Sequence, residues 1–143
     1  MDLEQSLEYM ERKYGRTVMY NSTEQRFYEK IDGKTQPVRI ETHTSPSFKD
    51  RHGLLNVDAT GGYGLLSDSD LELVTLINDD VDRIVHEEMA AKGLMTRSRT
   101  GSYISTSRGV CHDIWSRKKQ VLKEKYDLNW KSPQDLNPDT MFD

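Results

Sequence analysis

Residues 97–109 read RSRTGSYISTSRG and gather three arginines and six Ser or Thr hydroxyls just ahead of VCHDIWSRKKQVLKEKY, a stretch with helical periodicity. Guanidinium groups offer a planar fork of donors matched to phosphate oxygens, and hydroxyls add further donors. A helix start contributes unpaired backbone N–H groups and a partial positive charge, so the combination makes a seat for an anion. Arg97, Arg99, Ser105, Thr106, Ser107 and Arg108 are therefore candidate phosphate ligands, and Tyr103 and Trp115 are candidate platforms on which a base stacks. Phosphate plus base describes a nucleotide. The competing reading is structural: Thr106 or Ser107 caps the helix, and the arginines pair with an upstream helix carrying Asp79, Asp80, Asp82, Glu87 and Glu88. No fixed spacing defines such a seat, so the sequence leaves both readings open.

Charge sharpens the question. The chain is acidic, with a net charge of −4, yet residues 94–131 hold nine Lys or Arg against three Asp or Glu, a local +6 beside −10 for the rest. That basic segment is a candidate anion-binding face. Its alternative is a solvated helix surface formed by Arg117, Lys118, Lys119, Lys123 and Lys125. The acidic remainder weakens long-range attraction to a polyanion, so a small phosphorylated ligand ranks ahead of nucleic acid as the partner.

Catalytic patterns are weak by comparison, and no catalytic residue, metal ligand or cofactor is assigned. His86-Glu87 begins like a zinc-protease helix, but that motif needs a second His four residues after the first, and position 90 is Ala. Cys111 and His112 are adjacent, so on a helix their side chains point about 100° apart and cannot act as a nucleophile and base pair. His43, His52 and Asp58 match no defensible ligand spacing. Gly61-Gly62-Tyr63-Gly64 lacks both a Walker lysine and the dinucleotide spacing and reads as a turn permitting close backbone approach.

The elements that must position these residues make an α+β domain. Leu3, Leu7, Met10 and Tyr14 recur at helical spacing and Gly15 stops the helix. TVMY, RFYEKI and QPVRIETH read as strands, with Asp32-Gly33 as a type I′ hairpin turn and Pro37 near a strand start or on an edge. Residues 44–66 carry Pro46 and Gly53, Gly61, Gly62 and Gly64 without periodicity, apart from a possible short strand at LLNVDA. A long helix follows, with Ser69 and Glu72 as a capping box, an apolar stripe through Leu73, Val74, Ile77, Val81, Ile84, Val85 and Met89, and Gly93 as its end. The last helix spans about Ser107 to Tyr126. In all, an antiparallel sheet of three to five strands packs with an N-terminal helix, the long helix and a C-terminal helix.

Residues 128–143 form a tail in which two prolines oppose regular structure while Leu128, Trp130, Leu136, Met141 and Phe142 call for burial, on the chain's own domain or on a neighbouring subunit. A length of 143 residues fits a single domain covering 1–143. One cysteine excludes an intramolecular disulfide, no apolar run reaches the roughly 20 residues of a membrane span, and the N-terminus lacks a basic-then-apolar signal pattern. A soluble, cytoplasmic protein with no membrane partner is the expectation.

The last third, GSYISTSRGVCHDIW followed by KKQVLKEKYDLNWKSPQDLNPDTMFD, resembles small phage-encoded proteins that sequester nucleotide second messengers of bacterial immunity, the anti-Thoeris signal-sponge family. The resemblance covers about fifty residues. It implies a homo-oligomer that binds a cyclic ADP-ribose-type or cyclic oligonucleotide ligand without cleaving it, in the cytoplasm of the infected host. A nucleic-acid-binding regulator, a nucleotide-acting enzyme, and a phage protein that inhibits a host protein stand as alternatives.

Overall fold

The computed structural model describes residues 2–40, 67–106, 108–136 and 141. Within them the order is α1 (Leu3–Tyr14), β1 (Thr17–Asn21), β2 (Arg26–Ile31), β3 (Lys34–Pro37), α2 (Asp68–Ala91), β4 (Met95–Arg97), β5 (Tyr103–Ser105), α3 (Val110–Tyr126) and a single helical turn, α4 (Pro133–Leu136). The class is α+β, with a three-stranded antiparallel sheet in the order β1-β2-β3 and a separate two-stranded sheet of β4 and β5.

The first helix begins at Asp2, whose carboxylate accepts from the Gln5 N–H at 2.8 Å while the Gln5 side chain accepts from the Asp2 N–H at 3.1 Å, a reciprocal capping box. Gly15, at φ 67°, closes it. The β2–β3 connection is the Asp32-Gly33 turn, with φ 51° and 78°, as an I′ hairpin requires. The third strand differs from expectation. It runs over Lys34–Pro37 and leaves 38–40 outside it, residues 41–43 of the expected strand lying outside the described residues, with Pro37 at the end of an edge strand, where its missing N–H costs no ladder bond. Val38 and Ile40 are buried just beyond it.

The long helix starts two residues earlier than the Ser69–Glu72 pattern implies, because Ser67 is the cap and its hydroxyl accepts from the Asp70 N–H. The Ser69 hydroxyl is instead taken by Arg16 at 3.1 Å. At the other end Leu94 N–H returns to Met89 C=O at 2.9 Å across Gly93, at φ 78°. The apolar stripe is buried as expected: Leu73, Val74, Ile77, Val81, Val85 and Met89 share one core cluster with Met10, Val18, Phe27 and Val38 and with Val121, Leu122 and Tyr126 of α3, and Ile84 is buried too. Burying each such side chain contributes about 1.5–3 kcal/mol.

The alternation of β2 turns Phe27 and Glu29 inward together. Burial of Glu29 is made tolerable by Arg16, whose Nε and second terminal nitrogen each donate to its carboxylate at 2.8 Å. The same guanidinium reaches Asp70 in the first turn of α2 at 2.6 Å, so one side chain joins β2 to α2.

Leu128 and Trp130 are buried in the chain's own core. The prolines do not exclude helix here: Pro133 takes a first-turn position, and Ser132 and Asp135 cap one another through 3.0 and 3.1 Å bonds. Met141 is 92% exposed on the single chain and so is not buried on its own domain, while the Leu136 side chain and Phe142 lie outside the described residues. The possible strand at 54–59 also lies outside them. Among the described residues no helix is long and apolar enough to cross a membrane.

Candidate functional site

The hydroxyl and arginine stretch is a β-hairpin rather than a loop opening directly into a helix. Met95, Thr96 and Arg97 pair with Ser105, Ile104 and Tyr103. The turn is held by its own polar groups: Ser98 N–H donates to Ser102 C=O at 2.7 Å, Ser102 N–H to the Ser98 hydroxyl at 3.1 Å, and the Ser98 and Thr100 hydroxyls lie 2.9 Å apart. Gly101, at φ 87°, supplies the left-handed residue this turn needs. Part of the hydroxyl content therefore builds the hairpin. Thr106 closes it at the base, its N–H on Leu94 C=O at 3.0 Å and its hydroxyl on Gly93 C=O at 3.1 Å. In this structure its hydroxyl proton is given to backbone.

The N-cap of the following helix is likewise not one of the described hydroxyl residues. Gly109 is the N-cap of α3, at φ 80° and with no side-chain cap bond, so the helix begins at Val110 and not near Ser107. Ser107 itself lies outside the described residues. Ser105 ends β5 with its side chain exposed, opposite Met95. Arg108 is exposed in the turn before α3.

The cations divide into two groups. Every one on α3 is engaged by its own chain: Arg117 forks onto Glu88 at 2.7 and 3.1 Å, Lys118 meets Asp82 at 2.9 Å, Lys119 meets Asp135, Lys123 meets Asp127 at 2.6 Å, and Lys125 donates to the carbonyls of Glu24 and Gln25. Four of the five form ion pairs within the chain; Lys118 is buried, while Lys123, at 56% side-chain exposure, remains a solvated surface residue. Arg117 and Lys118 knit α3 to the acidic α2, and buried Lys118 also lies 4.6 Å from the Trp130 ring centroid. The hairpin arginines behave otherwise. Arg97 lies over the Tyr103 ring at 5.8 Å, and among the described residues Arg99 and Arg108 make no ion pair or hydrogen bond. The expected pairing with α2 therefore belongs to α3 and not to Arg97, Arg99 or Arg108.

Tyr103 is held between Arg97 and His86 of α2, whose ring centroid is 5.5 Å from its own. Trp115 is half-buried against the core and meets His112 edge-on at 5.4 Å. The two aromatics thus sit in separate ring pairs, and the contacts that form join Arg97, Tyr103 and His86, while Arg99 and Ser105 are exposed on the same hairpin and Arg108 in the turn before α3. His86 is the residue sequence reasoning missed. Its spacing in the sequence speaks only to a metal motif, and nothing in the chain order announces that a hairpin residue seventeen positions later, Tyr103, meets its ring.

Glu88 is held below the usual carboxylate range by its hydrogen bond from Arg117. Tyr20, desolvated and donating to Asp80 at 2.8 Å, is pushed up to about 12. Among the described residues no group of three His, Cys, Asp or Glu side chains is placed to hold a metal ion, and His43, His52 and Asp58 lie outside those residues. No protein-family model, curated protein or solved structure matches the chain.

Proposed function

We propose that the protein captures a small phosphorylated nucleotide, of the cyclic ADP-ribose or cyclic oligonucleotide type, on the β4–β5 hairpin and the approach to α3, and holds it unchanged. The observation that carries this reading is the division of the cations. Five basic residues of α3 are engaged internally, while among the described residues Arg99 and Arg108 meet no counter-charge and Arg97 meets an aromatic face. Like charges gathered on one short segment repel, and a ligand carrying two phosphate charges relieves that repulsion while accepting from guanidinium forks. Tyr103, already oriented by His86, is the platform for a base or ribose. The step from binding to sequestration rests on the resemblance to phage signal sponges and on the residue types of the hairpin, which are donors and not proton acceptors.

Mass spectrometry of material released on heating, together with calorimetry against cyclic ADP-ribose and a cyclic dinucleotide, tests the proposal. The expected outcome is depletion of ligand from free solution and its recovery intact after denaturation. A second reading, chemistry on the nucleotide, takes its support from His86 beside Tyr103. Turnover that His86→Ala abolishes would establish that reading in place of the first.

A further inference from the structure

The seam between α1 and α2 carries a trough distant in sequence from the hairpin. One part is a cavity of 310 Å³ lined by Tyr9, Met10, Leu71, Thr75 and Leu76. The other, of 330 Å³, is lined by Leu3, Phe27, Leu76, Asp79 and Arg83. They share Ser6 and Leu76 and so form one continuous depression. Its floor is apolar, and Leu3 and Leu71 at its margins remain 39% and 38% exposed, large side chains that a solitary folded domain gains by covering.

The walls are acidic. Among the described lining residues Glu72, Asp79 and Asp80 face one cation, Arg83, already engaged by Asp80 at 2.9 Å and Glu87 at 3.1 Å, and Lys118, whose charge also reaches Asp79, is paired with Asp82 at 2.9 Å. Glu72 accepts from the Tyr14 hydroxyl, a bond that leaves its charge in place. At the C-terminal end of α1, Lys13 is turned onto the Tyr9 and Tyr14 rings, 5.1 and 5.2 Å from their centroids. Asp79 is disfavoured as an anion first by desolvation and then by Asp82, so a cation brought beside it is stabilised. From Leu71 to Arg83 the α2 wall runs about 18 Å, the length of three helical turns.

We propose that this trough docks a cationic amphipathic helix of a partner protein, with its apolar face on Leu3, Leu71 and Leu76 and its Lys or Arg residues along Glu72 and Asp79. The geometry is helix-in-groove recognition, in which apolar anchors at i, i+3, i+4 and i+7 enter the groove and flanking charges set the choice of partner. Charge selects this occupant: a neutral or acidic helix would leave the walls unpaired or repelled.

The test uses the full chain and two fluorescent helical peptides of about fourteen residues, each with leucines at i, i+3, i+4 and i+7, one carrying Lys and the other Glu at the remaining positions. Fluorescence anisotropy is expected to show binding of the Leu/Lys peptide and none of the Leu/Glu peptide. Leu71→Asp is the deciding variant because it makes the trough more acidic while removing an anchor. Apolar docking predicts that it weakens the Leu/Lys peptide at least about tenfold, whereas attraction by charge alone predicts equal or tighter binding and would overturn the proposal. Should that variant fail to fold, exposed Asp79→Lys gives the second arm, expected to lose the Leu/Lys peptide and gain the Leu/Glu one. Absence of binding by either peptide overturns the assignment. So does a dimer, seen by sedimentation, that Leu71→Asp dissociates and the Leu/Lys peptide does not, since a second copy is then the occupant.

Discussion

Arg16→Ala is expected to be the most damaging single substitution of a charged residue in the described structure. The Arg16 side chain is 19% exposed and that of Glu29 10%, and two parallel 2.8 Å bonds join them. A third contact, at 2.6 Å, reaches Asp70, and a fourth, at 3.1 Å, the Ser69 hydroxyl. Truncation leaves the Glu29 carboxylate facing the core with its cation gone. Breaking a buried pair from one side costs about 3–5 kcal/mol, and the residual exposure here places the loss near the lower end, about 3 kcal/mol. For a chain of this size that lowers the melting temperature by roughly 10 °C. Urea denaturation followed by circular dichroism measures it, with an unchanged m-value required before the shift in midpoint is read as stability. The double variant Arg16→Met/Glu29→Leu removes both charges and should recover most of the loss, because an apolar pair avoids the desolvation that the ion pair offsets. A loss under about 1 kcal/mol for Arg16→Ala would show that the contact behaves as a surface bridge, and that α2 is seated on β2 by apolar packing alone.

If the proposed site is right, Arg108→Ala should leave the urea midpoint unchanged and weaken a bound nucleotide by about 1.5–3 kcal/mol in calorimetry, since among the described residues Arg108 has no ion-pair or hydrogen-bond partner to lose; Arg117→Ala should do the reverse. Trp130→Ala is expected to cost about 3–5 kcal/mol, as a buried ring with Lys118 over its face, and thermal melting checks it. Glu88 has a folded pKa depressed by Arg117, so its contribution is present above the ordinary carboxylate pKa and is lost as pH falls through the depressed value. Glu88→Gln should therefore be less stable than the parent chain at pH 7, and the two urea midpoints should converge once the pH has fallen below the depressed Glu88 value. Midpoints that stay apart in acid would mean that the Glu88 side chain acts through packing.

Elements whose signal is local were readable from the chain. The 3.6-residue stripe from Leu73 to Met89 has one buried face in any compact fold, and Asp32-Gly33 offers the positive φ values that a two-residue hairpin demands, whatever surrounds it. Boundaries were less legible. Ser67 and Ser69 are equally good caps by type, and Arg16, more than fifty residues away, engages one of them. The end of β3 and the start of α3 shifted for similar reasons, the first at Pro37 and the second at a left-handed Gly109.

The site shows the same divide. Composition by itself determined that residues 97–109 are rich in donors, that the surrounding chain is acidic and that no familiar catalytic spacing is present, because residue type and short-range order suffice for each. Which cations are free is a different kind of fact. It depends on α2 lying against α3, so that Glu88 and Asp82 meet Arg117 and Lys118 across separations of 29 and 36 residues, and on the hairpin folding back to set Tyr103 on His86. A side chain's charge is written in the sequence, but its partner is chosen by packing. Coulombic and hydrogen-bond energies fall off over a few ångströms of space regardless of how far apart the residues lie along the chain.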